Sequence, residues 1–156
     1  LLSMVFVASC ATPTPSNYSK IEYNAEACFG FCPIFKITVN PDRTAVIDAE
    51  RFTFTEGRSK DDFSGPREGI FKTTIKQADY NKLISLLDDL DLKNLNGYYG
   101  NKNITDLPTA NLRITFTDGS TKHIEDYGKG GTKKLDELYT FIEDLRKTQT
   151  WTRVAE

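Results

Sequence analysis

Apolar and polar residues alternate with a period of two through Ile34-Phe35-Lys36-Ile37-Thr38-Val39, the pattern of a strand with one buried face. Asn40-Pro41-Asp42-Arg43 follows, and Thr44 to Ala49 is again strand-like, so the two segments predict a hairpin around a type I turn. Arg43 occupies a position where glycine usually supplies a positive φ, at a cost on the order of 1 kcal/mol if the left-handed geometry is kept. Phe52, Phe54 and the run Gly69 to Thr74 suggest further strands, joined by a polar segment, Gly57 to Arg67, that reads as a mobile loop.

From Gln77 to Leu90 the period becomes helical, with Tyr80, Leu83, Ile84, Leu87 and Leu90 on one face. Its N-cap is poorly marked, although Asp79 suits the positive end of the helix dipole. Asp91 to Pro108 reads as a long loop carrying Tyr98 and Tyr99. Leu112, Ile114 and Phe116 then alternate up to Asp118-Gly119, a strong hairpin signal, and Ser120 to Tyr127 forms the returning strand. Thr132 is the N-cap expected for a second amphipathic helix, with Leu135, Leu138, Tyr139, Ile142 and Leu145 on its apolar side.

These elements predict an α+β domain, an antiparallel sheet with two amphipathic helices on one face. Each helix follows a strand-turn-strand segment, which suggests a ββα repeat, although generic hairpin grammar explains the recurrence nearly as well. The opposite sheet face is half-polar by pattern, either solvated or a binding surface.

Ahead of the domain, Leu1 to Ala8 is apolar but shorter than the ~18 residues a membrane span needs. It reads as the hydrophobic region of a signal peptide whose start is missing, since no initiator methionine or basic segment precedes it. Val7-Ala8-Ser9-Cys10 resembles the lipobox of bacterial lipoproteins, in which small residues fit the peptidase and the cysteine thiol takes a diacylglycerol. Cys10 is therefore the expected lipidation site, holding the protein on a membrane at ~0.8 kcal/mol per buried methylene. The alternative is an ordinary secretory signal that leaves Cys10 as an unpaired thiol. Residues 11–19, with Pro13 and Pro15, are expected to form a flexible tether reaching at most ~30 Å, and residues 20–156 a single domain. Ala11 is not the aspartate that favours inner-membrane retention in enteric bacteria. The expected location is thus the bacterial cell envelope, outer membrane ahead of inner.

Composition narrows the partners. A 38% hydrophobic and 12% aromatic content can fill one core. The 20 basic and 22 acidic residues give a net charge of -2, which argues against a nucleic-acid footprint or a polybasic membrane patch.

In an oxidising compartment, Cys28-Phe29-Gly30-Phe31-Cys32-Pro33 reads first as a structural disulfide. Residues four apart on an extended strand are separated by ~13 Å, so a bridge requires a turn, which Gly30 permits. Closing so short a loop restricts the unfolded chain by only ~2 kcal/mol, and its main value would be the local shape that presents Phe29 and Phe31. The alternative is a thiol-disulfide oxidoreductase using the same pair. Against it, the spacing is one residue longer than C-x-x-C, and a strand follows where a helix is usual. Zinc binding by Cys28, Cys32 and the sole histidine, His123, would still lack a ligand.

No other pattern supplies chemistry. Asp61-Asp62, Asp88-Asp89 and Glu125-Asp126 are adjacent carboxylates whose side chains diverge, and neither a nucleophile elbow nor a phosphate loop is present. Gly128-Lys129-Gly130-Gly131-Thr132 has the look of an anion-binding loop, with an ordinary connection the plainer reading. Tyr98, Tyr99 and Trp151 are the candidate ligand-binding residues, because aromatics in loops and termini stack on partners; their other role is to cap the open ends of the core. No cofactor and no metal is expected.

The Cys28 to Pro33 motif and its strand, the helix bearing Leu83, a loop tyrosine, Asp106-Leu107-Pro108, Asp118-Gly119, the final helix and Trp151 form one series. Together they resemble a domain-of-unknown-function family of small bacterial proteins, often lipoproteins, with a Cys-Phe-Gly-x-Cys-Pro signature. The resemblance runs from Tyr18 to Arg153, departs from the family at Arg43, and implies a domain extent but no catalytic residue. The function expected is that of a membrane-tethered, non-enzymatic envelope domain binding a protein, peptide or glycan, with the oxidoreductase as the alternative.

Overall fold

A computed structural model describes residues 11–55 and 65–155. The apolar leader, the expected lipidation site Cys10, Asp61-Asp62 and most of the polar segment after Gly57 lie outside the described residues.

The fold is α+β. In chain order the elements are β1 (Tyr18–Ala25), β2 (Ile34–Val39), β3 (Thr44–Arg51), β4 (Gly69–Thr74), α1 (Gln77–Asp88), β5 (Tyr98–Tyr99), β6 (Thr109–Phe116), β7 (Thr121–Tyr127), α2 (Lys133–Thr148) and β8 (Thr152–Ala155). The strands form an eight-stranded sheet in the order β5-β7-β6-β1-β2-β3-β4-β8. Every neighbouring pair is antiparallel except β5 with β7. Because β4 stands between the first hairpin and α1, the two halves of the chain differ by one strand.

Period-two alternation sorts the side chains. Tyr23 pairs with Ile37, and Ile37 with Ile47, so these buried residues share one face, while Glu22, Lys36 and Asp48 emerge on the other. A single core cluster joins the inward sheet residues to Leu83, Ile84 and Leu87 of α1 and to Leu135, Leu138, Tyr139, Ile142 and Leu145 of α2.

The first hairpin adopts the strained turn that its sequence implies. Arg43 has φ 70°, and its amide donates to Asn40 O at 3.0 Å. Arginine is useful there in a way glycine could not be: its guanidinium donates to Ile75 O at 2.8 Å, while Ile75 N donates to Arg43 O at 2.9 Å. The turn is thereby fastened to the chain entering α1.

Three segments differ from expectation. The sheet starts at Tyr18, so the last two residues of the expected tether belong to β1; Thr14 N donates to Asn81 Oδ1 and Asn81 Nδ2 to Thr12 O, which lays the preceding stretch on α1. Phe52 and Phe54 follow β3 in a bend, because Phe52 takes φ 53°. Within the long loop, Tyr98 and Tyr99 pair with Glu125 and Asp126 as the short edge strand β5. The poorly marked start of α1 also finds its partner far away, since Lys76 N donates to Gln149 Oε1 at 2.9 Å and Gln149 Nε2 to Asp79 Oδ2 at 2.7 Å. Gln149 is buried and caps α1 from the end of α2.

Candidate functional site

The loop between β1 and β2 closes through a Cys28–Cys32 disulfide with a Cα separation of 5.7 Å, and Gly30 makes the turn at φ 136°. Phe29 N donates to Asp106 O at 3.3 Å, which ties the loop to the segment before β6. The short bridge turns its two phenylalanines outward: Phe29 is 78% exposed and Phe31 42%. Neither cysteine stands at a helix N-terminus, since the loop is entered from one strand and left into another, so no helix dipole lowers a thiol there.

Phe31 meets Phe52 edge to face, with ring centroids 5.6 Å apart. Phe52 opens the bend after β3, and that bend is held from two sides. The Glu68 carboxylate accepts from Thr53 N at 3.1 Å, Phe54 N at 3.0 Å, Thr55 N at 3.4 Å and Thr55 Oγ1 at 2.6 Å. Arg146 of α2 donates through Nη1 to Phe52 O and Thr53 O, both at 3.1 Å, and through Nε to Glu143 O. With its backbone fixed, the bend presses Phe54 against Phe71 at 4.5 Å and Trp151 at 6.4 Å between centroids.

Between the disulfide loop, the bend and the end of α2 lies an open groove of about 580 Å³. Phe31, Pro33, Phe52 and Phe54 give it apolar walls, and among the described residues Arg146 and Lys147 supply its only charges. Its hydroxyls are already engaged, Thr53 with Ile34 O and Arg51 O, Thr55 with Glu68. Lys147 is exposed and has no acceptor among the described residues. The groove therefore offers a visitor apolar contact and one uncommitted ammonium group.

The aromatic residues singled out in the sequence are not gathered in one place. Trp151 supports the groove from beneath: its indole donates to Leu145 O at 3.0 Å while the ring packs on Phe54. Tyr98 and Tyr99 lie at the opposite edge of the sheet. Lys102 sits 5.0 Å over the Tyr98 ring, and the Tyr99 hydroxyl accepts from Asn96 N. Sequence reasoning missed Phe52, Phe54, Glu68 and Arg146 as site residues.

In two other regions the candidate groups have partners within the chain. His123 faces outward on β7, paired with Arg113 across the ladder, beside a shallow depression of about 240 Å³ that also touches Glu22, Asn24, Lys36 and Asn111. Glu22 there is already neutralised by Lys36 at 3.2 Å and Lys20 at 4.0 Å. In the glycine loop, Gly131 N donates to Asp126 Oδ2 at 3.0 Å and Thr132 caps α2 by accepting from Leu135 N at 3.1 Å. The anion for this loop comes from the chain itself. Asp126 is buried against Tyr139, whose phenol is pushed above its ordinary range by burial and then by that carboxylate.

Taken together, an α+β domain with a mostly antiparallel sheet and a disulfide-framed aromatic groove is the class that fold and site define. The chain belongs to the DUF6438 family, a domain of unknown function, whose profile matches residues 19–146. The match includes the disulfide loop, the bend and Arg146, and ends before Lys147 and Trp151. No curated protein matches the chain significantly.

Proposed function

We propose that this protein is a membrane-tethered, non-enzymatic domain of the bacterial envelope that binds a partner protein or peptide in the groove walled by Phe31, Phe52 and Phe54. The observation that carries the reading is the combination of exposed phenyl rings with a backbone fastened by the disulfide, Glu68 and Arg146. Exposed apolar surface that is held rigid loses little freedom on contact, which is what a preorganised binding surface requires. The anchor is the lipobox-like Cys10, with the outer membrane ahead of the inner one. The two helices cover the apolar sheet face and leave the polar face to solvent.

The direction of β1 favours a partner in front of the domain over the bilayer behind it. Thr12 and Thr14 meet α1 near the Tyr18 end of β1, whereas the disulfide loop follows its Ala25 end, roughly 23 Å away at about 3.3 Å per residue.

The test uses the full chain extracted in mild detergent as bait for envelope proteins. Retention should be saturable and lost in a Phe31→Ser, Phe54→Ser double variant that keeps the wild-type circular dichroism spectrum. Equal retention by both proteins sinks the groove as the binding surface. Cys10→Ala should move the protein from the membrane to the soluble fraction, and unchanged fractionation sinks the anchor.

A further inference from the structure

We infer that the groove's occupant is a peptide segment in which a large apolar side chain stands beside a carboxylate. The inference rests on the groove being the binding surface, and three features of its lining select this chemistry. First, the walls are phenyl rings and a proline, which match an aliphatic or aromatic side chain and offer no hydrogen bonds. Second, among the described residues the lining has no carboxylate, and its charges are both positive. Arg146 donates through Nη1 and Nε to Phe52 O, Thr53 O and Glu143 O but keeps its charge, so an incoming anion is attracted by both cations, of which Lys147 is the exposed one. Third, the hydroxyls that a glycan would need are bonded to Ile34 O, Arg51 O and Glu68. The two threonine hydroxyls keep acceptor lone pairs but no free O–H, so a sugar oxygen that needs a donor from them is left unsatisfied, at about 1–3 kcal/mol for each such group buried. About 580 Å³ of open volume lies in the range of sites that take a drug-sized ligand, room for a short stretch of peptide and not a folded surface.

Panning the immobilised full chain against a random-peptide library tests the inference. Enriched sequences should carry a Phe, Leu, Ile, Met or Trp next to Asp, Glu or a free C-terminal carboxylate. Synthetic peptides of that kind should quench or shift the emission of Trp151, the single tryptophan of the chain, on titration. Lys147→Glu should weaken them about tenfold or more, the loss of one close charge pair and its replacement by repulsion. Lys133→Glu, the same charge reversal at the far end of α2, should leave affinity unchanged. Failure to enrich any peptide, enrichment without a carboxylate, or indifference to Lys147→Glu overturns the inference. Decanoate competing as strongly as the peptides would assign the groove to a fatty acid and overturn it too. A partner retained from envelope extract through Phe31 and Phe54 but indifferent to Lys147→Glu would keep the groove as the site and discard only this ligand chemistry.

Discussion

Glu68 and Arg146 grip the same bend from opposite sides, the carboxylate collecting the amides of Thr53, Phe54 and Thr55 while the guanidinium takes the carbonyls of Phe52 and Thr53. Consecutive amides converging on a carboxylate form an anion nest, here occupied by the chain's own side chain. Glu68 leads into β4 and Arg146 belongs to α2, so the bend is fixed to both sheet and helix. Its aromatic rings are positioned by polar contacts that the backbone makes and the rings do not.

Removing either grip should therefore disorder the groove without touching its walls. Glu68→Ala and Arg146→Ala should each lose about 1.5–3 kcal/mol in urea unfolding, the usual worth of hydrogen bonds to a charged group. Both should alter Trp151 emission as Phe54 shifts. Lys147→Ala should leave stability and emission unchanged, and a destabilisation equal to that of Arg146→Ala would contradict the division of labour between the two residues.

For the disulfide, a Cys28→Ser, Cys32→Ser variant should unfold about 2 kcal/mol more easily, in line with the small loop that the bridge closes. Without a helix N-terminus to lower a thiol, the pair should also resist glutathione, with a reduction potential below about -300 mV. A value between about -120 and -270 mV would place it among the oxidoreductases and revive that alternative.

Arg43 separates backbone strain from a tertiary contact. Arg43→Ala keeps the unfavourable φ and loses the guanidinium bond to Ile75 O, so it should cost about 1–3 kcal/mol. Arg43→Gly also loses that bond but relieves on the order of 1 kcal/mol of strain, and should be the milder of the two. Chemical denaturation of both variants checks the order, and a glycine variant weaker than the alanine one would contradict it.

Acid stability should reflect the two hairpin aspartates. Asp42 accepts from the Thr44 hydroxyl and amide, and Asp118 from those of Ser120. These bonds hold both carboxyls below the usual carboxylate range. A folded-state pKa below the unfolded one stabilises the protein above the unfolded value, near about 3.9, and that contribution disappears as pH falls through the folded pKa. Urea midpoints should drop between about pH 5 and about pH 2. An Asp42→Asn, Asp118→Asn variant keeps acceptors in place and should show a shallower drop; an identical profile would contradict the assignment.

Legibility in the sequence followed the range of the determinants. Asn40-Pro41-Asp42-Arg43, Asp118-Gly119 and Thr132 act on residues two to four positions away, so both hairpins and the second helix could be read locally. The groove could not, because its bend depends on Glu68, up to 15 positions from its partners, and on Arg146, up to 94 positions away. Phe52 and Phe54 show the failure at one point: their alternation imitates a strand, and only the positive φ of Phe52, stabilised from α2, breaks it. The start of α1 is a similar case, its cap arriving from Gln149, 73 positions downstream of Lys76. Of the three aromatic candidates, Trp151 alone packs against a groove residue.

The position of β1 in the middle of the sheet sets a schedule for folding. Its β2 side can pair as soon as the hairpin forms, but its other side waits for β6, and the Ser19 hydroxyl reaches the Thr115 carbonyl across 96 positions. A chain halted after β4 would carry a bare strand edge where the finished sheet has its interior. Such an edge is a template for pairing with other chains. Aggregation during synthesis is thus concentrated in the interval before Thr109 to Phe116 emerge, and a mutation that slows the pairing of β6 would act on yield before it acted on stability.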